Sequence, residues 1–216
     1  RYSFAMPELG IGFFPDVGAT SALPRLPFHA GTYLALTGAR IGRGDALALG
    51  LATHAAPSAA FAAIAASLSA GEEVDAVLAR FRPPEEESPL SAHKALISRV
   101  FSLRSVPDML AALSRESESD PFAAQTLATM TAKSPFSMTL ALEQMKRGAS
   151  LTFEEAMRLE MRIVSRIVHG HDFYEGVRAA IIDKDQAPRW APATIDEVRA
   201  GDVLAYLAPL GADREL

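Results

Sequence analysis

The sequence predicts an α/β protein that begins with short strands, turns and helices and becomes almost wholly helical towards its C-terminal end. Two observations lead to this prediction. Residues 4–57 contain short apolar segments separated by Gly and Pro, which is typical of compact alternating elements. Residues 134–182 instead carry successive helix start and stop signals. We find no internal repeat.

Composition excludes several classes of protein. The chain has 216 residues, of which 49% are hydrophobic and 22% charged, as in globular domains. A net charge of −5 without a basic tract argues against a nucleic-acid partner. There is no cysteine, so disulfides, thiolate nucleophiles and cysteine zinc sites are ruled out. No apolar run is long enough to cross a bilayer, and we expect no membrane partner. The absence of cysteine, together with first residues that lack the pattern of a secretory signal, leads us to expect a cytoplasmic protein.

The first 57 residues are predicted to form a compact region of short alternating elements. The predicted elements are a strand at 3–6, a short helix capped by Asp16 and ending at Pro24, a helix over 29–37 with Gly38 as its stop, a helix over 42–50, and a strand at 51–55. Because the chain starts at Arg1 without an initiator Met, we interpret it as the later part of a longer polypeptide.

The remaining residues divide into two predicted regions. Residues 58–131 are interpreted as a helical insert that includes a Pro- and Glu-rich linker at 83–89. Residues 132–216 form a C-terminal helical region. Its helix starts are predicted at the Ser134 cap, at the capping box Thr152–Glu155, and at a second box of similar form over 172–175.

Two carboxylates, Glu8 and Asp16, lie in an otherwise apolar and turn-rich segment. An acid among Phe, Met, Ile and Leu is desolvated, which raises its pKa unless it is paired. Two acids in such a loop are what general acid–base catalysis requires. The alternative is structural, with Glu8 an exposed turn residue and Asp16 only a helix cap. We also considered His169, His171 and Asp172 as metal ligands, but a helix end with a capping Asp explains them better, and no metal is expected.

The chain resembles the 3-hydroxyisobutyryl-CoA hydrolase branch of the enoyl-CoA hydratase/isomerase (crotonase) superfamily. The resemblance covers nearly the whole chain and is loosest over residues 58–130. The matching motifs are Ala5-Met-Pro-Glu8, Ile11-Gly12, Phe14-Pro-Asp-Val-Gly18, Leu23-Pro-Arg-Leu26, Leu34-Ala-Leu-Thr-Gly38, Gly50-Leu-Ala-Thr-His54, Ser134-Pro135, Gly170-His-Asp-Phe173, Glu175-Gly-Val-Arg178, Ile182-Asp-Lys-Asp-Gln186 and Trp190.

The resemblance implies a crotonase-like (ββα-spiral) fold and an acyl-CoA substrate. It implies that residues 1–57, with the two acids, are the C-terminal part of the crotonase core. It implies that Glu8 acts on the thioester, as a general base or a nucleophile, and that Asp16 assists near the substrate hydroxyl and acyl groups. Both acids are thus predicted catalytic and substrate-binding residues. The backbone N–H groups that polarise the thioester carbonyl would lie in an upstream half of the same protein, which we name as a partner of this chain.

The predicted activity is hydrolysis of 3-hydroxyisobutyryl-CoA or a similar 3-hydroxyacyl-CoA, a step of valine catabolism. The first alternative is an enoyl-CoA hydratase or isomerase, and the second is a non-catalytic fragment or assembly module. No cofactor is expected, because coenzyme A is part of the substrate, and its contact residues are left unassigned. A homo-oligomer is a further possible partner arrangement.

Overall fold

The structure of the protein is a computed structural model, and it describes residues 2–211 and 214–215. Regular structure in these residues is overwhelmingly helical. The α-helices are α1 (Ala19–Ala22), α2 (Ala30–Thr37), α3 (Arg43–Ala48), α4 (Phe61–Ser69), α5 (Val74–Arg80), α6 (Lys94–Phe101), α7 (Val106–Glu116), α8 (Pro121–Thr131), α9 (Pro135–Gly148), α10 (Phe153–Ile167), α11 (His171–Val177) and α12 (Ala200–Leu207). Short 3₁₀ turns join several of them, and a π-helical turn at Arg178–Ile182 continues α11.

The two predicted strands are not strands in the structure. Phe4 makes a single antiparallel bridge with Ile41, in which each backbone N–H donates to the other residue's carbonyl. Residues 51–55 form bends and irregular backbone, so the strand predicted there is wrong. A short apolar run between turn residues does not by itself distinguish a strand from a packed loop.

The described residues group into two compact units. One unit contains Arg40–His93 and the first residues of the chain up to Phe4. It holds α3, α4 and α5. The buried Asp45 in α3 accepts hydrogen bonds from the Ser88 hydroxyl at 2.7 Å and from the Leu90 N–H at 2.9 Å. The end of the predicted 83–89 linker is therefore anchored within this unit rather than freely solvated.

The second unit contains Ala5–Ala39 and the residues from Lys94 onwards. Every residue of α2 is buried, and this helix packs against α6, α8 and α9. Gly38 ends α2 in the left-handed conformation, as the sequence predicts. A second apolar cluster is formed by Phe14 together with side chains of α9, α10 and α12. Both acids predicted to be catalytic belong to this unit.

Helix starts in the C-terminal region follow the sequence signals in two cases out of three. The Ser134 hydroxyl accepts from the Ser137 N–H at 3.0 Å, and the Thr152–Glu155 capping box is present in both directions. The second predicted box is wrong. Helix α11 begins at His171, so Asp172 lies inside its first turn, where its buried carboxylate accepts hydrogen bonds from other segments.

Candidate active site

Glu8 lies in what we call the Glu8 loop, residues 7–12. Its core is a 3₁₀ turn over Glu8–Ile11, closed by Gly12 in the left-handed conformation at φ 66°. The Gly10 N–H donates to the Pro7 carbonyl at 2.9 Å, and the Phe13 N–H donates to the Glu8 carbonyl at 3.0 Å. Proline and glycine at these positions favour the tight turn that presents Glu8.

The Glu8 carboxylate is half-buried, and its Oε2 atom has no hydrogen-bond partner among the described residues. Burial raises the pKa of Glu8, a hydrogen bond from its own backbone N–H opposes this, and the nearby Asp16 charge raises the pKa further. The prediction that an acid in this apolar loop is desolvated is confirmed for Glu8. A carboxylate with a raised pKa and an unpaired oxygen is suited to accept a proton or to bind a polar group of a ligand.

Helix α11 and the Glu8 loop are in direct backbone contact. A Cβ atom added to Gly12 would lie 2.2 Å from the Asp172 carbonyl oxygen, and one added to Gly176 would lie 2.3 Å from the Ile11 carbonyl carbon. Neither position has room for a side chain. The loop that carries Glu8 is therefore seated by two glycines that allow backbone to meet backbone.

Asp172 joins three segments beside this contact. Its Oδ2 atom accepts from the Ser134 hydroxyl at 2.5 Å, and its Oδ1 atom accepts from the Ala191 N–H at 2.8 Å. These bonds connect the start of α9, the start of α11 and the segment that contains Trp190 and Ala191. The Trp190 indole N–H donates in turn to the Ala132 carbonyl at 3.2 Å. Asp172 is thus a structural acid of the site's surroundings rather than a helix cap or a metal ligand.

Motif residues in the last turn of α11 and directly after it form an ion-pair network around Arg178. Its guanidinium pairs with Glu175 at 2.8 Å and with Asp183 and Asp185 at 2.7 Å each. The Arg178 guanidinium, followed by the Arg189 backbone N–H, lowers the pKa of Glu175 to about 2. Three carboxylates thus already pair with Arg178 in this network. Within the described part of the chain, no group of three or more His, Asp or Glu residues has the arrangement of a metal site.

Asp16 lies in what we call the Asp16 turn, residues 15–20. The segment between the two acids is fixed by Phe14, which is fully buried, and by Phe13, whose ring lies 5.3 Å from that of Phe173. Asp16 is partly exposed, and no hydrogen bond to its carboxylate is found among the described residues. Its backbone carbonyl accepts from the Ala19 N–H at 3.0 Å.

Asp16 is not the cap of α1, which corrects the sequence prediction. The residue at the cap position is Gly18, and its own N–H donates to Glu160 Oε2 at 3.0 Å. The Thr20 N–H donates to Glu160 Oε1, also at 3.0 Å. On the other side of the turn, the Gln144 amide donates to the Pro15 carbonyl and to the Thr20 hydroxyl, at 2.6 Å each. The cap of α1 is thus supplied by Glu160 on α10, while Gln144 on α9 holds the turn from the other side.

Sequence reasoning missed Glu160 and Gln144, although a signal for them was present. Both are buried, and each lies on the apolar stripe of its helix: Glu160 between Ala156 and Ile163, and Gln144 with Leu140. A polar residue at a helical position that periodicity assigns to the core must find a buried partner. The partner itself lies more than 120 residues away along the chain.

Comparison with known proteins agrees with the motif resemblance. A sequence model described as enoyl-CoA hydratase/isomerase matches residues 1–207. The chain belongs to this family. Curated relatives of this enoyl-CoA hydratase/isomerase chain include 3-hydroxyisobutyryl-CoA hydrolases from Gallus gallus, at 38% identity over 96% of the chain, and from Homo sapiens, at 36% over 97%. The predicted superfamily is confirmed, and these relatives bear the name of the predicted branch. The chain spans 56% of the length of each of these relatives.

Two solved structures share the fold. A carnitinyl-CoA dehydratase from Mycobacterium thermoresistibile superposes with a TM-score of 0.88 at 36% identity. The superposition covers 97% of this chain and 60% of the dehydratase chain. An enoyl-CoA hydratase from Rhodobacter sphaeroides gives a TM-score of 0.85 at 37% identity, over 99% and 61%. The predicted crotonase-like fold with a helical C-terminal region is confirmed.

The predicted cytoplasmic location is contradicted by the curated relatives from Gallus gallus and Homo sapiens, both of which are named as mitochondrial enzymes. The prediction rested on the absence of cysteine and of a secretory signal. Neither observation distinguishes one non-secretory compartment from another. Among the described helices, none combines the length and apolar character that a bilayer-spanning segment needs.

Proposed function

We propose that this chain provides the acid pair of a 3-hydroxyisobutyryl-CoA hydrolase, which cleaves the thioester of a 3-hydroxyacyl-CoA with water. The observation that carries the proposal is the half-buried Glu8 carboxylate, which has an unpaired oxygen and a pKa raised by burial, next to Asp16. The names of the curated relatives support the choice of substrate. The reaction would then be a step of valine catabolism.

In this proposal Glu8 acts at the thioester carbonyl. As a general base, its carboxylate takes a proton from water while the water oxygen attacks the carbonyl carbon, and the thiol of coenzyme A leaves with a proton. As a nucleophile, the carboxylate attacks the carbonyl carbon and breaks the carbon–sulfur bond, so that the coenzyme A thiolate leaves and takes up a proton. Water then hydrolyses the resulting mixed anhydride, which releases the acid and restores the Glu8 carboxylate. A raised pKa makes Glu8 a stronger base near neutral pH and serves either route.

Asp16 assists at the other end of the acyl group. Its carboxylate has no hydrogen-bond partner among the described residues and is therefore available to the substrate hydroxyl or to a proton in transfer. No cofactor is required, since coenzyme A enters as part of the substrate. The resemblance assigns the N–H groups that polarise the thioester carbonyl to the part of the relatives' length that this chain does not span. Self-association into a homo-oligomer stays a prediction.

A second candidate is hydration or isomerisation of an enoyl-CoA by the same two acids. The two solved structures of similar fold favour it, because their titles name a dehydratase and a hydratase. The two candidates differ in which bond changes: hydrolysis breaks the carbon–sulfur bond and releases a thiol, whereas hydration adds water across a carbon–carbon double bond and leaves the thioester intact.

The test uses the full-length polypeptide containing these residues. Thiol release from 3-hydroxyisobutyryl-CoA is followed with a thiol reagent, and loss of crotonyl-CoA absorbance is followed in parallel. Glu8→Gln should slow thiol release by about 100-fold or more, as expected for loss of a general base. Glu154→Gln, an exposed acid on α10, is the matched control and should leave the rate unchanged.

The outcomes separate the candidates. Thiol release that persists in Glu8→Gln contradicts the role of Glu8. Loss of crotonyl-CoA absorbance without thiol release supports the hydratase instead. If neither substrate reacts while the folded protein binds a partner, the chain is a non-catalytic assembly module.

A further inference from the structure

The backbone of the Asp16 turn is strained at a position that follows the acid directly. Val17 has φ 52°, in the left-handed region, and its side chain is 82% exposed. A β-branched residue in this region costs about 1–2 kcal/mol, and its exposed side chain gains little by packing. Such a conformation persists only where the surroundings determine it.

Contacts from α9 and α10 determine the turn on both sides of Asp16 and Val17. Gln144 holds the Pro15 carbonyl before them, and Glu160 holds the Gly18 and Thr20 N–H groups after them. Glu160 is 4% exposed and Gln144 is fully buried. A buried carboxylate that accepts two backbone N–H groups makes strong, charge-assisted hydrogen bonds.

The Gly18 N–H is the group that Asp16 itself would otherwise bind. An Asp side chain commonly accepts a hydrogen bond from the backbone N–H two residues later, which for Asp16 is that of Gly18. Because Glu160 Oε2 already accepts from this N–H, that local bond is not available to Asp16. The Asp16 carboxylate is left without an internal partner among the described residues.

We infer that Glu160 is a positioning residue for Asp16: by accepting the Gly18 and Thr20 N–H groups, it caps α1 in place of Asp16 and keeps the Asp16 carboxylate free for the substrate. The inference rests on the proposed function of Asp16. It gives the buried acid on α10 a role in turnover, although Glu160 itself touches neither the substrate nor the reacting atoms.

The test is Glu160→Gln in the full-length polypeptide. The amide has one acceptor oxygen for the two N–H groups, so at least one of the two bonds is lost. Whenever that oxygen accepts from Thr20, the Gly18 N–H is released and Asp16 can bind it. Small misplacements of a catalytic group cost on the order of 100-fold in rate. We expect kcat for thiol release to fall by about 10- to 100-fold while KM changes by less than about threefold.

A double-mutant cycle with Asp16→Asn shows whether Glu160 acts through Asp16. If it does, Glu160→Gln has little further effect on kcat once Asp16 is already replaced. Equal fold-losses in both backgrounds would overturn the inference, because they indicate a general structural effect. Thr152→Ala is the control for a general weakening of α10, the helix that carries Glu160. It removes the N-cap of α10, which costs about 1 kcal/mol, and should leave kcat unchanged.

A further variant allows for poor folding of Glu160→Gln. Val17→Gly removes the left-handed strain, so the double variant Val17→Gly/Glu160→Gln should fold while still releasing the Gly18 N–H. A kcat equal to that of Val17→Gly alone would overturn the inference. Asp16→Asn alone tests the proposed function separately: if it keeps full activity, the role of Asp16 fails, whereas a slow Asp16→Asn with a fast Glu160→Gln refutes only the role of Glu160.

Discussion

The Glu8 loop and the Asp16 turn lie a few residues apart in the sequence, yet their surroundings hold them by different physical means. The Glu8 loop is seated where side chains are absent: Gly12 and Gly176 let its backbone touch that of α11. The Asp16 turn is held where buried polar side chains are present, since Gln144 and Glu160 reach it through hydrogen bonds.

This difference determines what each region tolerates. A contact between backbones cannot be relieved by rotating a side chain, so an added carbon atom must displace the chain itself. A contact through hydrogen bonds depends on the chemistry of the side chain instead, so a change that preserves volume but removes a donor is damaging. We expect the Glu8 loop to be sensitive to added volume and the Asp16 turn to lost polarity.

The largest effect is expected for Gly12→Ala. The new Cβ would lie 2.2 Å from the Asp172 carbonyl oxygen, and the residue has φ 66°. Overpacking costs about 1–3 kcal/mol and a left-handed alanine about 1–2 kcal/mol, so the free energy of unfolding should fall by about 2–5 kcal/mol. Denaturant unfolding of the full-length polypeptide measures this loss.

Gly50→Ala is the matched control for this change. Gly50 also has a left-handed φ, of 75°, but an added Cβ meets nothing within 4 Å. Gly50→Ala should therefore lower the free energy of unfolding only by the cost of a left-handed alanine, about 1–2 kcal/mol. Equal losses at the two positions would show that the contact with Asp172 does not seat the Glu8 loop.

The next effect is that of Gly176→Ala, where no left-handed strain contributes. The Cβ would lie 2.3–2.5 Å from backbone atoms of Ile11, so we expect a loss near the upper end of the overpacking range, about 3 kcal/mol. Gly201→Ala, in α12 with nothing within 4 Å, should instead be neutral or stabilising by up to about 1 kcal/mol. Thermal unfolding of both variants gives the comparison, and similar melting temperatures would contradict it.

Local signals in the sequence were sufficient for some of these features and not for others. The Thr152–Glu155 box and the Gly38 stop depend on residues within one turn of each other, and the structure has both. The Asp16 cap was predicted by the same kind of reasoning and is wrong, because a distant acid, Glu160, takes the N–H groups instead. Capping preferences describe what a residue does when no tertiary competitor is present.

Motif and environment together led to the prediction of Glu8 and Asp16 as the catalytic acids, whereas neither indicated the residues that hold them in place. Gly176 and Ile11 are in contact although they lie far apart in the sequence, and no residue near either of them indicates the other. The second predicted box failed for a similar reason, since the Asp172 carboxylate bonds to Ser134 and Ala191 rather than to its own helix. Long-range partners of this kind are set by packing, which a single sequence does not reveal.

On the side of the Asp16 turn, the informative change is Gln144→Met, which keeps the volume and removes the donor. The buried carbonyl of Pro15 would lose its partner, and a group left unpaired in this way costs about 1–3 kcal/mol; we expect about 2 kcal/mol. Gln125→Met, on the exposed face of α8, should change stability by less than about 0.5 kcal/mol. Urea unfolding of both variants measures the difference, and equal stability would mean that the turn does not depend on this bond.

The smallest effect, and the one of opposite sign, concerns the charge of Glu8. Its pKa is raised above the ordinary value of 4.5, first by burial, so the folded state binds the proton more tightly than the unfolded state does. Ionisation of Glu8 therefore costs stability as the pH rises from 4.5 through the raised pKa. Glu8→Gln removes this cost and should raise the melting temperature at pH 7, on the order of a degree or two.

The pH dependence distinguishes this explanation from a general improvement in packing. The gain in melting temperature from Glu8→Gln should vanish below about pH 4, where the carboxyl is protonated in both the folded and the unfolded state. The exposed control Glu154→Gln should show no gain that depends on pH in this way. A gain that is the same at pH 4 and pH 7 would contradict the role of desolvation. In an Asp16→Asn background the gain in melting temperature from Glu8→Gln should shrink slightly, because the Asp16 charge is a lesser cause of the raised pKa of Glu8. The charges of the two acids thus couple the Glu8 loop to the Asp16 turn.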